Sequence, residues 1–253
     1  MTKTILITGA SSGFGAACAR RFAAPGHALV LTARRQDRLL ALQKELQTQC
    51  PVHCLGLDIT DADGVDGLPE SLPEAFREID VLINNAGLAL GLEPAQESRM
   101  ADWETMVNTN ILGLIRMTRR ILPGMVARNR GHIINIGSTA GDWPYAGGNV
   151  YGASKAFVQQ FSRNLRTDLH GTAIRVSTIN PGMAETEFSR VRFRQDQDMA
   201  EKVYQGATPL SAEDIAEIIH WVNSVPPHVN INALEVMPVC QSWGGLSVSR
   251  NMA

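Results

Sequence analysis

Seven short apolar runs, each followed by a stretch long enough for further secondary structure, limit what this chain can fold into. They occupy residues 4–8, 28–32, 52–57, 80–84, 132–137, 173–179 and 231–237. In Thr4-Ile5-Leu6-Ile7-Thr8 and Asp80-Val81-Leu82-Ile83-Asn84 the apolar residues are consecutive, with no polar alternation. Such runs suit strands buried on both faces. Strand–helix alternation requires right-handed crossovers and a parallel sheet covered by helices on both sides. The expected fold class is α/β, a doubly wound parallel sheet of seven strands. These units use nearly all 253 residues and no Pro/Gly/Ser linker interrupts them, so one domain over 1–253 is expected.

Composition excludes several classes. Hydrophobic residues make up 44% and the formal net charge is −2, which argues against disorder. Without a basic excess, no nucleic-acid partner is expected. The first apolar run is only three residues long (Ile5–Ile7) and ends in a glycine turn, unlike a secretory signal. No segment approaches the ~18 apolar residues of a transmembrane helix, so no membrane partner is expected. Of Cys18, Cys50, Cys54 and Cys240, Cys50 and Cys54 are four apart, but no second pair and no nearby His cluster completes a metal site. They read as reduced thiols of a cytoplasmic protein, and no metal is expected.

In such a sheet the ligand crevice lies at the carboxyl ends of the strands. Thr8-Gly9-Ala10-Ser11-Ser12-Gly13-Phe14-Gly15 follows the first run. Gly9 permits a tight turn. Gly13 and Gly15 let backbone approach a ligand and let the next helix pack close to its strand. That helix start offers free N–H groups and partial positive charge to a pyrophosphate. A Rossmann-type dinucleotide site is predicted. Dinucleotide folds place an acidic residue about 20 positions downstream for the ribose 2′-OH. Here the second run ends Thr32-Ala33-Arg34-Arg35, with no carboxylate before Asp37. Arginine forks suit a 2′-phosphate, so Arg34 and Arg35 predict NADP; the alternative is a solvated helix start.

Asp58, after the third run, can either bond an adenine amino group or cap the next helix. Asn84-Asn85-Ala86-Gly87 can approach a cofactor or tie two strands together. Ser138 closes the fifth run. Tyr151 and Lys155 lie at i and i+4, sharing one face of a helical pattern that continues through Phe157, Phe161, Leu165 and Leu169. That stripe fits a core face or a subunit contact. A phenol titrates near 10. An ammonium ~4 Å away at an effective dielectric of ~20 supplies ~4 kcal/mol, enough to lower that pKa by ~3 units. Tyr151 is then expected to act as general acid toward a carbonyl, or as base toward an alcohol.

Together, Thr8–Gly15, Asp58, Asn84–Gly87, Asn110, Ser138, Tyr151, Lys155 and Pro181-Gly182 resemble the short-chain dehydrogenase/reductase family. The resemblance implies that Tyr151 is the catalytic acid/base and that Ser138 holds the substrate oxygen. Lys155 would bond the nicotinamide ribose and lower the tyrosine pKa, and Asn110 would support a water in a proton relay. The implied NADP contacts are Gly9, Ser11, Ser12, Gly13, Phe14, Gly15, Arg34, Arg35, Asp58, Ile59, Asn85, Ala86, Gly87, Tyr151, Lys155, Pro181, Gly182 and Thr186. The segments 84–91, 137–151 and 228–232 further resemble bacterial NADP-dependent 3-hydroxy acid dehydrogenases. These oxidise L-serine and L-allo-threonine, reduce malonic semialdehyde to 3-hydroxypropionate, and are cytosolic homotetramers. The family often has a basic residue before the second glycine of the turn. Ser12 stands there, so phosphate selection would rest on Arg34 and Arg35.

A 3-hydroxy acid carries a negative charge that needs a partner. Arg190, Arg192 and Arg194 fall in 183–210, where a lid would cover the nicotinamide end. Arg192 is the candidate for the substrate carboxylate; the alternative is a solvated or intersubunit face. The tail 240–253 has no strong pattern and is open to packing on a neighbouring subunit. Two other function classes share the motifs: a carbonyl reductase of neutral ketones or aldehydes, and a non-catalytic NADP-sensing protein.

Overall fold

Each of the seven apolar runs forms a strand, with ends shifted by at most two residues. The computed structural model describes residues 3–244. The strands are β1 (Lys3–Thr8), β2 (His27–Ala33), β3 (Val52–Gly56), β4 (Ile79–Asn84), β5 (Gly131–Ile136), β6 (Ile174–Pro181) and β7 (Ala233–Val236). All neighbours pair in parallel, in the order β3-β2-β1-β4-β5-β6-β7. The helices are α1 (Gly13–Phe22), α2 (Gln36–Leu46), α3 (Ala62–Asp66), α4 (Met100–Val107), α5 (Leu114–Arg128), α6 (Asn149–Asp168), α7 (Glu187–Arg192), α8 (Gln197–Lys202) and α9 (Ala212–Ser224).

Two cores flank the sheet because successive side chains of a strand point to opposite faces. Ile5 and Ile7 join Cys18 and Phe22 of α1, Leu39 and Leu42 of α2, and Ile215 and Ile219 of α9. Leu6 joins Val65 of α3, Met117, Ile121 and Met125 of α5, and Leu165 of α6. The chain leaves β1 toward β2 and β3 and returns on the other side at β4. The carboxyl ends of β1 and β4 therefore form the crevice where such sheets receive ligands. The glycine turn and Asn84–Gly87 sit at these two ends.

The 183–210 segment contains α7 and α8 and is closed at its base, where Ala184 bridges Leu210. The helical stripe from Phe157 divides. Leu165 and Leu169 enter the second core, while Phe157 and Phe161 are half-buried and stacked on each other. Within residues 240–244, Gln241 Oε1 accepts from Met183 N–H, and Trp243 meets Trp143. The rest of the expected tail, 245–253, lies outside the described residues. Among the described residues no helix is long and apolar enough to cross a membrane.

Candidate active site

The glycine turn adopts the backbone its composition predicts. Gly9 and Gly13 have φ of +67° and +51°, a region that side-chain-bearing residues rarely enter. A Cβ on Gly15 would lie 2.4 Å from the Gly9 carbonyl, so glycine there lets α1 start hard against β1. Asn85 ties the turn to the end of β4: its Nδ2 donates to the carbonyls of Thr8 (2.8 Å) and Gly9 (3.2 Å). Asn84 is buried and donates to Thr118 and Asn135. Phe14 packs beside the first core.

Ser12 N-caps α1 without spending its side chain on the helix, and the first turn holds no acidic residue. Arg35 instead donates to Ser12 Oγ (2.7 Å) and to Ser11 Oγ (3.2 Å). This donor set of helix N-terminus, two hydroxyls and a guanidinium fits a phosphorylated adenosine, so these residues suit NADP. The two adjacent arginines are not equivalent. Arg34 is 70% exposed, with its guanidinium 3.9 Å from Asp58 Oδ2. Asp58 Oδ1 accepts from the backbone N–H and hydroxyl of Thr60, while Asp61 stands at the N-cap of α3. The capping role considered for Asp58 is therefore corrected to a local turn, because Thr60 lies within its reach. The Ile59 side chain packs into the second core, where Gly113 makes room for it.

At the other end of the crevice, β5 delivers Ser138 and α6 delivers Tyr151 and Lys155. Tyr151 is buried beside Ser138, whose hydroxyl pulls the phenol pKa down. Ser138 Oγ also accepts from Ala140 N–H and lies 3.4 Å from the Pro181 carbonyl. Asn110 sits in a π-helical turn, Asn108–Gly113, between α4 and α5. Such turns recur at functional sites. Its amide donates to the Leu88 carbonyl and to Ser154 Oγ, while Oδ1 accepts from Leu88 N–H. A Cβ on Gly87 would approach Asn110 Oδ1 (3.2 Å) and Lys155 Nζ (3.6 Å), so Gly87 keeps this corner open.

The expected lowering of the Tyr151 pKa by Lys155 is corrected. Burial pushes the phenol up to about 12, despite the Ser138 hydrogen bond and the Arg192 charge, which pull it down. Burial likewise pushes the Lys155 ammonium down to about 8. The lysine aims elsewhere: Nζ donates to the Ile136 carbonyl at 2.8 Å and lies 5.8 Å from the Tyr151 ring centre. At that separation its charge does not offset desolvation.

The three arginines of the 183–210 segment also separate. Arg192 lies 5.5 Å from the Tyr151 ring centre and donates to Tyr145 Oη (2.6 Å) and the Gly91 carbonyl (3.2 Å). Arg194 pairs with Asp102, and Arg190 is exposed. Thr186 N-caps α7 through the Phe188 N–H, and its methyl side lies where a Cβ on Gly13 would touch it. Gly182 lies between the Val236 carbonyl, which accepts its N–H, and Gln241. The motifs did not single out Tyr145, Arg38, Glu187 or Gln241. Only the folded 183–210 segment and tail bring these residues to the site, and no local spacing signals that.

A strand–glycine turn–helix joined to a Ser–Tyr–Lys set is the architecture of a hydride-transferring oxidoreductase. The short chain dehydrogenase family matches residues 3–197, and the chain belongs to that family. An NADP-dependent 3-hydroxy acid dehydrogenase of Salmonella typhi is 59% identical over 248 residues, covering 98% of this chain and 99% of that protein. A sulfoacetaldehyde reductase of Chromohalobacter salexigens is 52% identical, covering 99% and 100%. The closed form of serine dehydrogenase complexed with NADP+ superposes with a TM-score of 0.94 at 56% identity, covering 98% of this chain and 100% of that one.

Proposed function

We propose that this chain transfers hydride between NADP and the 3-carbon of small 3-hydroxy acids such as L-serine, L-allo-threonine and 3-hydroxypropionate. NADP, when bound, supplies the hydride acceptor or donor. The observation that carries the acid specificity is Arg192, whose guanidinium lies over both Tyr145 and Tyr151. A carboxylate beside a substrate carbonyl would meet this charge while the carbonyl oxygen reaches Ser138 and Tyr151. Ser138 donates a hydrogen bond to that oxygen. Tyr151, protonated at neutral pH because burial holds its pKa at about 12, gives its proton to the same oxygen in the reductive direction. Oxidation runs this transfer backwards. Lys155, charged below about 8, is the group that would donate to the nicotinamide ribose. Asn110 positions the Leu88 segment against α6 through Ser154. Arg35, with Ser11 and Ser12, selects the 2′-phosphate.

A sulfonate is a second anion this guanidinium suits, and the 52% identity to a sulfoacetaldehyde reductase supports including it. The resemblance further supports a cytoplasmic homotetramer, which sedimentation would test for its assembly. The functional test is a panel of initial rates: L-serine, 3-hydroxypropionate and neutral short alcohols, each with NADP and NAD. Turnover of the acids with NADP is expected. Turnover of neutral alcohols alone would favour the carbonyl-reductase reading, and no turnover at all the cofactor-sensing one.

A further inference from the structure

Glu187, the first residue of α7, is the lid residue most tightly joined to the adenosine end of the crevice. Its Oε2 accepts from Arg35 Nη1 at 2.8 Å and its Oε1 from Arg38 Nη1 at 2.5 Å. Arg35 simultaneously reaches Ser11 and Ser12 in the glycine turn. One carboxylate thus lies between two guanidinium groups at the end of β2, the place where the sequence predicts a phosphate. Burial alone would push this carboxyl up, but hydrogen bonds from Arg38 and Arg35 hold it down at about 2, so it is an anion at every working pH. Next to it, Thr186 faces Gly13 across the space one Cβ would fill, so the same end of the lid lies over the turn. The lid is therefore fastened to the adenosine end independently of the Arg192 contacts at the nicotinamide end.

We infer that Glu187 is a built-in surrogate for the 2′-phosphate: it occupies Arg35 and Arg38, pins the lid, and is displaced when the phosphate arrives. This rests on the NADP reading above. It assigns Glu187 a second role, because a group that must leave for a phosphate but not for a free 2′-hydroxyl sets coenzyme selectivity. A phosphate dianion outcompetes a carboxylate for arginine forks through charge and three acceptor oxygens. Release of Glu187 then couples phosphate binding to loosening of α7.

Adenosine 2′,5′-bisphosphate and 5′-AMP differ only in the 2′-phosphate and need no nicotinamide or catalysis. Calorimetry should show Glu187→Gln binding the bisphosphate about three- to tenfold tighter than wild type, the range expected for partly exposed ion pairs. Binding of 5′-AMP should be unchanged. The gain should shrink in an Arg38→Gln background, where one of the two competing guanidinium contacts is already gone; an undiminished gain would exclude this competition. In wild type, the bisphosphate should speed hydrogen exchange over 187–192 and 5′-AMP should not. Equal or weaker bisphosphate binding by Glu187→Gln, in protein that melts like wild type, overturns the inference. So does slower exchange in α7 on adding the bisphosphate. If wild type binds both nucleotides equally, the NADP reading falls and this inference with it; if it prefers the bisphosphate and Glu187→Gln changes nothing, only the inference falls.

Discussion

Replacing Arg192 with Gln removes the charge proposed to hold the substrate carboxylate while keeping a side chain of similar reach. Two unit charges ~4 Å apart attract by ~4 kcal/mol at an effective dielectric of ~20, and by ~1 kcal/mol in bulk water. Arg192 is half-buried beneath Tyr145, Tyr151 and the Gly91 loop, so the effective value lies between these limits. A loss of about 2–3 kcal/mol corresponds to roughly a 30–150-fold fall in kcat/KM. That loss should appear with L-serine and 3-hydroxypropionate, chiefly in KM. Arg192 also ties the lid to Gly91 and Tyr145, so some loss will be common to all substrates. A neutral short alcohol measures that common part, expected to stay below about fivefold, on the order of one exposed contact. Tyr145→Phe, which removes only the phenol partner of Arg192, is a second control and should leave the acid preference in place. Equal losses for acidic and neutral substrates would refute the carboxylate assignment and leave Arg192 a lid strut.

Tyr151→Phe keeps the buried ring but removes the transferable proton. Activity should fall by about 10²–10⁴-fold while bisphosphate binding, read by calorimetry, stays near wild type. The Lys155 ammonium is lost as pH rises through about 8, so reductive kcat/KM should decline above that pH, and Lys155→Met should abolish this inflection along with most activity. His132 is buried between Asn223 and Ser177, and burial, with Arg175 nearby, lowers its pKa from 6.5 to about 3. The unfolded chain gains that proton near 6.5 and the folded chain only near 3, so this contribution is full above about 6.5 and is lost as pH falls toward 3. Its limit is about 5 kcal/mol. Urea midpoints measured across that range should fall steeply in wild type, and more gently in His132→Gln.

The fold was legible because its signal is local. Two-sided burial writes Val, Ile and Leu in unbroken runs, and those runs became strands with nearly the expected ends. The glycine turn was legible for the same reason: positive φ at Gly9 and Gly13 and the close approach at Gly15 are backbone demands that glycine meets within eight residues. The rest of the site depends on contacts between distant segments. The π-helical turn at Asn108–Gly113 coincides with Asn110 bonding both Leu88 and Ser154, which lie 22 and 44 residues away. Arg190, Arg192 and Arg194 look equivalent in sequence, yet only the folded lid points one of them at the tyrosines. Arg34 and Arg35 are adjacent and alike in sequence, but Ser11, Ser12 and Glu187 organise Arg35 alone. The Tyr151 pKa lies above the expected range because spacing on a helix gives a shared face, not a distance, and says nothing of burial.

In the proposed reaction, one cleft joins hydride transfer with recognition of an acid group. The most direct test is the ratio of kcat/KM for NADPH-dependent reduction of malonic semialdehyde to that for propanal, a neutral aldehyde of the same carbon count. A ratio of at least about 30 is expected, set by the charge on Arg192. A ratio near one, or a preference for propanal, would contradict it.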